Sequence, residues 1–590
     1  MIFPQPQKEE LFNGTYLIKD YEDNFNLLYL YKKYKNGTED IKIINNQSFG
    51  SEEYEMSIDD EGITVTVSSD EGIFRAISSL KQLLKSYGSK LPHLLIHDKP
   101  DFGKRAYMLD ISRCRMPKVE TITKLIDLLA DLKYNEFQLY MESFVYKYDA
   151  FPKYTQKFNC LGPDEIKYLN KYCRERFIDL VPNQNSLGHL GKWLDTEDYK
   201  HLRVGDDNTN TSTINPLLDE SFEFIDKLYE SLLPHFDSEY VNIGLDEAFG
   251  LGKYQLKEIC EEKGKDTVFM DWLCKLAEHI KTKYGKKVQF WSDMIYNYPE
   301  AYKRIPEGAV ALNWGYDIIE TILIEKRCMD LQAKGADYYI CPGNSNWISF
   351  TGRFDVMSSN LRTSAEMGRK YGAMGYMLTD WGCGEGHYHF PVWSLVPAAL
   401  GAQYAWNVGE EQNGENHKTH YIRAANKYID ENIFNAKVSE HLQRLQQYYL
   451  LEPERVHCMT MCGYTIRFPI NETKGAHFFD LKECGDDFYF DNIIYYVDKI
   501  LTELNDIDFD EIQKRQIIIN SKMVILSAEI CKIRINGTAL PEKIEELTGM
   551  IDKICEEYAV LWDMENYPDG KEFFINQLIS RKKELIELGK

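Results

Sequence analysis

Between Arg105 and about Asn407 the chain repeats one pattern eight times: a short apolar run ending in polar or aromatic residues, mostly followed by a helical segment. The runs are Ala106–Ile111, Glu136–Met141, Ile178–Val181, Tyr240–Ile243, Val288–Trp291, Ala309–Trp314, Tyr338–Cys341 and Ala373–Thr379. Strands that alternate with helices pair in parallel, and eight such units predict a closed (β/α)8 barrel, the TIM-barrel architecture of the α/β class. The active site of such a barrel is built where its strands end. Those ends hold Asp110, Ser112 and Arg113; Glu142; Asn183 and Gln184; Asp246 and Glu247; Trp291 and Asp293; Asn313, Trp314 and Tyr316; Asn344 and Trp347; and Asp380 and Trp381. A barrel serving only as scaffold has no reason to gather tryptophans and carboxylates on one rim.

The flanks read differently. Residues 1–97 alternate β-like runs (Ile41–Ile44, Tyr54–Ile58, Gly62–Val67) with turns. Ile73, Ile77, Leu80, Leu83 and Leu84 then recur at helical spacing, as in a small α+β domain. Pro92 and the Asp98 to Asp101 stretch mark its boundary. The barrel is expected over 98–408 and a helical domain over 409–590. The latter carries long amphipathic segments at Lys437–Leu451, Asp491–Leu504, Phe509–Ile535 and Pro541–Met564, with a last helix running to Leu588. It holds no chemical motif and is expected to cap the barrel or to form a homodimer.

Composition narrows the partners. With 69 Lys and Arg against 93 Asp and Glu, the formal charge of −24 argues against nucleic acid and anionic membranes. Aromatic content of 13% suits the C–H faces of sugar rings, though it also serves plain packing. The N-terminus lacks a basic segment followed by an apolar run, so a cytoplasmic location is expected. The apolar window Pro391–Val408 contains Pro397 and Gln403 and reads as a buried helix or strand–helix join, not a membrane span. The 13 cysteines are scattered, as in a protein with reduced thiols. His457, Cys458 and Cys462 lack a second pair at zinc-site spacing, so no metal is expected.

The fourth run carries the sharpest chemical signal. Tyr240 to Ile243 leads through Gly244-Leu245 into adjacent carboxylates, Asp246 and Glu247. Neighbouring residues on a strand point to opposite faces, so both serve one site only where the strand ends and the backbone turns. Paired carboxylates there provide what sugar hydrolysis needs, a proton donor and a group that orients or stabilises.

Together these features resemble the β-N-acetylhexosaminidases of glycoside hydrolase family 20, over roughly residues 60–400. Residues 72–84 look like the helix closing that family's N-terminal α/β domain. Arg105-Ala-Tyr-Met-Leu-Asp-Ile-Ser-Arg113 looks like its first barrel strand, and Asn242-Ile-Gly-Leu-Asp-Glu247 like its His-x-Gly-Gly-Asp-Glu signature, with Asn242 and Leu245 departing from it. Ser186-Leu-Gly-His189 resembles the family's Gly-His after strand three; Phe290-Trp-Ser-Asp293, Leu312-Asn-Trp314 and Thr379-Asp-Trp381 resemble its tryptophan-bearing strand ends. The resemblance implies exo-acting, substrate-assisted hydrolysis of a small oligosaccharide or glycoside, with no cofactor. Glu247 is then the acid/base, and its pKa must rise towards neutrality, which the tryptophan rim would supply by excluding water. Asp246 holds the substrate's 2-acetamido N–H. Arg105 inherits the sugar-binding arginine's role, although from position alone it opens its strand and fits an ion pair at the barrel bottom. Glu142 is the nearest candidate for the family's second-strand acid, and His189 joins it at the rim. Trp291, Trp314 and Trp347 are expected to wall the acetamido pocket. Asp380 and Trp381 are expected to meet the outer hydroxyls. For the acetamido oxygen, Tyr316 is one candidate and strand seven offers Asn344 and Trp347. Two other readings compete: a retaining glycosidase using Glu142 or Asp380 as nucleophile on a sugar without the acetamido group, and a carbohydrate-binding barrel without turnover.

Overall fold

A computed structural model describes residues 2–206, 209, 211–382, 387–409, 417–472, 474–475, 479–484 and 486–590. Eight parallel strands close into a barrel in chain order: Lys104–Asp110, Glu136–Met141, Asp179–Gln184, Tyr240–Asn242, Lys287–Trp291, Val310–Trp314, Tyr338–Cys341 and Gly375–Asp380. Each lies within a few residues of its expected run. Parallel strands covered on both faces are apolar almost throughout, and Glu136–Met141 is buried at every position. The interior is filled by Ala106, Met108, Tyr140, Val181, Tyr240, Trp291, Val310, Leu312, Tyr339, Cys341 and Met377.

A polar cluster crosses that interior below the rim. Glu136 accepts from Gln138 (2.7 Å) and from the Tyr339 hydroxyl (2.9 Å), while the Asn183 and Asn242 amides both donate to Gln138 Oε1 (2.9 and 3.0 Å). Burial pushes the Glu136 carboxyl above the usual carboxylate range. These bonds run within the second strand and from it to the third, fourth and seventh strands, so the cluster ties the barrel together across its interior as well as filling space.

Before the barrel, a five-stranded sheet packs on a long helix, Asp70–Tyr87. Ser69 caps that helix by accepting from the Gly72 amide, and Asp70 and Glu71 complement the positive end of its dipole. The sheet's outermost strand, Lys8–Leu17, and the helix Leu27–Tyr34 show no clear pattern in the sequence. This domain seats on the amino-terminal end of the barrel through buried ion pairs. Glu52 meets Arg75 Nε (2.8 Å) and Arg105 Nη2, and Lys133 pairs with Asp98 (2.9 Å).

After the barrel, the helices Phe488–Asn505, Glu511–Asn536, Pro541–Glu565 and Lys571–Leu588 follow the expected segments. Lys437–Leu451 is instead divided into a helix at Ser439–Leu445 and a 3-10 turn at Tyr448–Leu451. The helical region packs on the barrel. Asn520 accepts from Trp393 Nε1 (2.8 Å) and donates to the Tyr388 carbonyl (2.7 Å). The apolar window at 391–408 is the buried helix Leu395–Trp406, and no described helix is long and apolar enough to cross a membrane.

Candidate active site

The strand Tyr240–Asn242 stops three residues before the acid pair, and the backbone then turns sharply. Gly244, Leu245 and Glu247 all take positive φ (71°, 81° and 48°). A glycine is required at 244, because a Cβ there would lie 2.4 Å from the Asn185 side chain. Side chains hold the turn. Asn242 Oδ1 accepts from the Gly244 amide (2.9 Å), Asn185 Oδ1 from Leu245 (3.2 Å) and Asp293 Oδ2 from Glu247 (3.0 Å). Asn242 therefore joins the interior polar cluster to the turn, while Leu245, fully buried, offsets its left-handed strain by packing.

The turn brings both carboxylates to one imidazole. His189 Nε2 lies 3.3 Å from Asp246 Oδ2 and 3.2 Å from Glu247 Oε2, and its Nδ1 lies 3.7 Å from Glu142. Gly188 permits this approach, since a Cβ there would fall 2.2 Å from the Asp246 carbonyl. Burial alone would lower the His189 pKa, but Asp246, with Glu247 and Glu142, holds it well above the ordinary histidine value. Asp246 is correspondingly held below the usual carboxylate range: burial opposes ionisation, and His189 and the Asn185 amide (2.8 Å to Oδ1) override it. Asp293 goes the other way, raised to about 7 by burial and by the charge of Asp246. Asp246 is nearly buried, whereas the Glu247 side chain is 37% exposed. One carboxylate is fixed and ionised, and its neighbour opens to incoming groups.

Aromatic rings line the rest of the rim. Trp381 packs edge-on to Tyr140 (4.6 Å between centroids) and tilted on Trp291 (5.7 Å), and it donates from Nε1 to the Tyr316 hydroxyl (2.7 Å). Tyr316 stacks on Trp314 (5.1 Å) and meets Trp347 edge-on (5.0 Å). Trp314 donates to Asp293 Oδ1 (3.3 Å), which ties this wall to the acid turn. Asn344, the alternative on strand seven, bonds to Ser394 (3.2 Å) and to the Asn346 amide (3.2 Å), whereas the Tyr316 hydroxyl sits within the aromatic wall.

Two expected site residues lie elsewhere. Arg105 is 1% exposed at the start of its strand, bound to Glu52, to the Lys133 carbonyl (2.9 Å) and to the Phe102 carbonyl (2.9 Å). It clamps the two domains at the opposite end of the barrel, as its position at the strand's opening requires. The rim arginine is Arg113, at the other end of the same strand and loop. It is paired with Asp110 (2.6 Å) and Glu142 (3.3 Å) and lies over the rings of Tyr140 and Trp381. Asp380 also turns away. At 2% exposure it accepts from the Tyr107 hydroxyl (2.6 Å) near His389, because alternation along the strand sends it opposite to Trp381. It buttresses the wall and does not meet outer hydroxyls.

Family models for the glycosyl hydrolase family 20 catalytic domain and for that family's domain 2 match residues 102–364 and 23–99, together more than half of the chain. The chain belongs to glycoside hydrolase family 20. A β-hexosaminidase of Vibrio furnissii is 24% identical over 354 residues, 53% of this chain and 55% of the relative. The chain spans about half the length of the curated relatives it matches. Among solved structures, a β-N-acetylhexosaminidase of Bacteroides fragilis aligns with a TM-score of 0.58 at 20% identity, over 73% of this chain and 95% of the other. A chitobiase of Flavobacterium johnsoniae aligns over 99% of both chains with a TM-score of 0.60 at 15% identity. These likenesses establish a fold shared with family 20 structures, and the second extends through the helical region.

Proposed function

We propose that this family 20 protein is an exo-acting β-N-acetylhexosaminidase that releases terminal N-acetylglucosamine or N-acetylgalactosamine from a small oligosaccharide or glycoside. The observation that carries the reading is the division between the two acids at the strand-four turn. Asp246 is buried, ionised and held by His189 and Asn185, while Glu247 opens outward from the same turn. A fixed anion suits the 2-acetamido N–H. It orients the acetamido oxygen towards the anomeric carbon and offsets the positive charge of the cyclic intermediate. Glu247 gives its proton to the departing oxygen and then accepts one from the water that opens the intermediate. Arg113, a five-donor fork at the rim, suits the vicinal hydroxyls of the terminal sugar. Tyr316, packed against Trp314 and Trp347, supports this reading as a donor to the acetamido oxygen.

Paired aryl glycosides test this. Glu247→Gln should lower turnover of an aryl N-acetyl-β-glucosaminide carrying a poor leaving group by about 10²–10⁴, and Asp246→Asn by about 10²–10³. The matching aryl β-glucoside should be a poor substrate throughout. Full activity of Asp246→Asn, or no inhibition by a thiazoline mimic of the intermediate, would rule out acetamido assistance. We further place the protein in the cytoplasm, trimming imported oligosaccharides, and as a homodimer through its helical region. Cell fractionation and solution mass test these two points.

A further inference from the structure

One loop of the helical region, residues 456–460, reaches the barrel rim. The Cys458 amide donates to Asp317 Oδ2 (2.7 Å), and the Thr460 amide donates to the Ile348 carbonyl (3.1 Å). Asp317 directly follows Tyr316 and Ile348 directly follows Trp347, so the loop is stitched to both of these aromatic wall segments. Arg353, 2% exposed, completes the joint by pairing with Asp317 (2.8 Å). Ile348 and Cys458 both take positive φ (47° and 57°), which non-glycine residues hold only where the surroundings fix them.

This fixed loop presents a polar face. The His457 side chain is 46% exposed, with Nε2 3.5 Å from Glu320 Oε1 and Nδ1 3.8 Å from Asp317. The face lies at the rim beside the aromatic wall, joined to it through Asp317. Burial, with the charges of Asp317 and Glu320 opposing that of Arg353, pushes the neighbouring Cys458 thiol up to about 12. The terminal sugar's acetamido group belongs inside the aromatic wall, whereas the open side of Glu247 faces the group that departs with its proton. Ligand atoms of Asp317, His457 and Cys458 also lie within 4.8 Å of one another, a spacing that suits a cation. Arg353 already supplies positive charge to Asp317, and a protonated thiol is a weak ligand.

We propose that His457, backed by Glu320, recognises the leaving-group sugar, so that the helical region contributes directly to substrate selection. The hydroxyls of a sugar in that place meet one imidazole and one carboxylate, both held by the Asp317 joint. This inference rests on the hexosaminidase reading above.

The test compares two substrates of the full-length protein: an N-acetyl-β-glucosaminyl disaccharide, and the corresponding β-glycosyl fluoride, whose leaving group is a single atom. His457→Ala and Glu320→Gln should each lower kcat/KM on the disaccharide by about tenfold, chiefly through KM, as expected for one lost hydrogen bond to a polar partner. The fluoride should be unaffected by either change. Equal losses on both substrates would assign the loop a structural role and overturn the proposal, as would no loss on either. A disaccharide-selective loss reproduced by a chelator in the unaltered protein would also overturn it, in favour of a cation. If the unaltered protein turned over neither substrate, the hexosaminidase reading itself would fail.

Discussion

Replacing Arg105 by Met should cost stability and leave catalysis intact, the opposite of what its alignment with a sugar-binding arginine implies. Arg105 is buried among Glu52, two backbone carbonyls and the Trp406 ring, 5.0 Å from the guanidinium. Removing one partner of a buried ion pair costs about 3–5 kcal/mol. For a cooperative unit of about 300 residues, unfolding with about 2.1 cal/mol/K per residue, 4 kcal/mol lowers the midpoint by about 6 °C. The loss should also depend on pH. Burial raises the Glu52 carboxyl, but Arg105 and Arg75 together hold it at about 2. Its ion pairs therefore stabilise the fold above the unfolded value near 4.5, and that contribution disappears as pH falls towards 2. The gap between wild type and Arg105→Met should narrow over the same interval. Calorimetry across pH 3–7, alongside kinetics on an aryl N-acetyl-β-glucosaminide, makes the measurement. The matched control is Arg113→Lys, which keeps the charge but loses the fork; it should hold its midpoint and lose about 100-fold in kcat/KM. An Arg105→Met protein with an unchanged midpoint and a comparable kinetic loss would refute the assignment of both arginines.

Three further outcomes follow from the acid turn. Asp293, raised to about 7, binds its proton more tightly in the folded state, so wild type should lose up to about 4 kcal/mol relative to Asp293→Asn between pH 4 and 8; a pH-independent difference in denaturant midpoints would contradict this. His189→Gln removes the cation that keeps Asp246 ionised, so the acid limb of kcat/KM should move to higher pH; in wild type the same histidine stabilises the fold at low pH, an effect lost as pH rises past 6.5 through its folded value. A limb that stays in place would disconnect the two groups. Leu245→Gly relieves about 1–2 kcal/mol of left-handed strain but gives up a buried leucine worth more. It should lower stability by about 2 kcal/mol, and a stabilised variant would show that strain outweighs packing there.

The barrel was legible because parallel strands buried on both faces leave apolar runs that need no tertiary information to find. The strand Lys8–Leu17 left no such trace: most of its residues are exposed, and it pairs along one edge with Lys90–Asp98. The acid pair and the tryptophans were legible from their places at strand ends. Which arginine faces the site was legible from strand direction, since Arg105 opens the strand and Arg113 follows its end; the resemblance to a sugar-binding arginine pointed the other way. Asp293 appeared among the rim residues, but its bond to the Glu247 amide depends on a turn that no local pattern encodes. The Cys458 contact with Asp317 joins residues 141 positions apart, beyond the reach of any periodicity.

The acid turn is assembled from three consecutive strands: Asn185, Gly188 and His189 follow the third, Asp246 and Glu247 the fourth, and Asp293 the fifth. Cutting the chain between the fourth and fifth strands therefore divides the site itself. On the proposed function, neither half-barrel should hydrolyse substrate alone, since the amino-terminal piece lacks the acceptor that anchors Glu247 and the other lacks both acids. Activity regained on mixing the halves would report barrel closure directly, turning a glycosidase assay into a readout of folding.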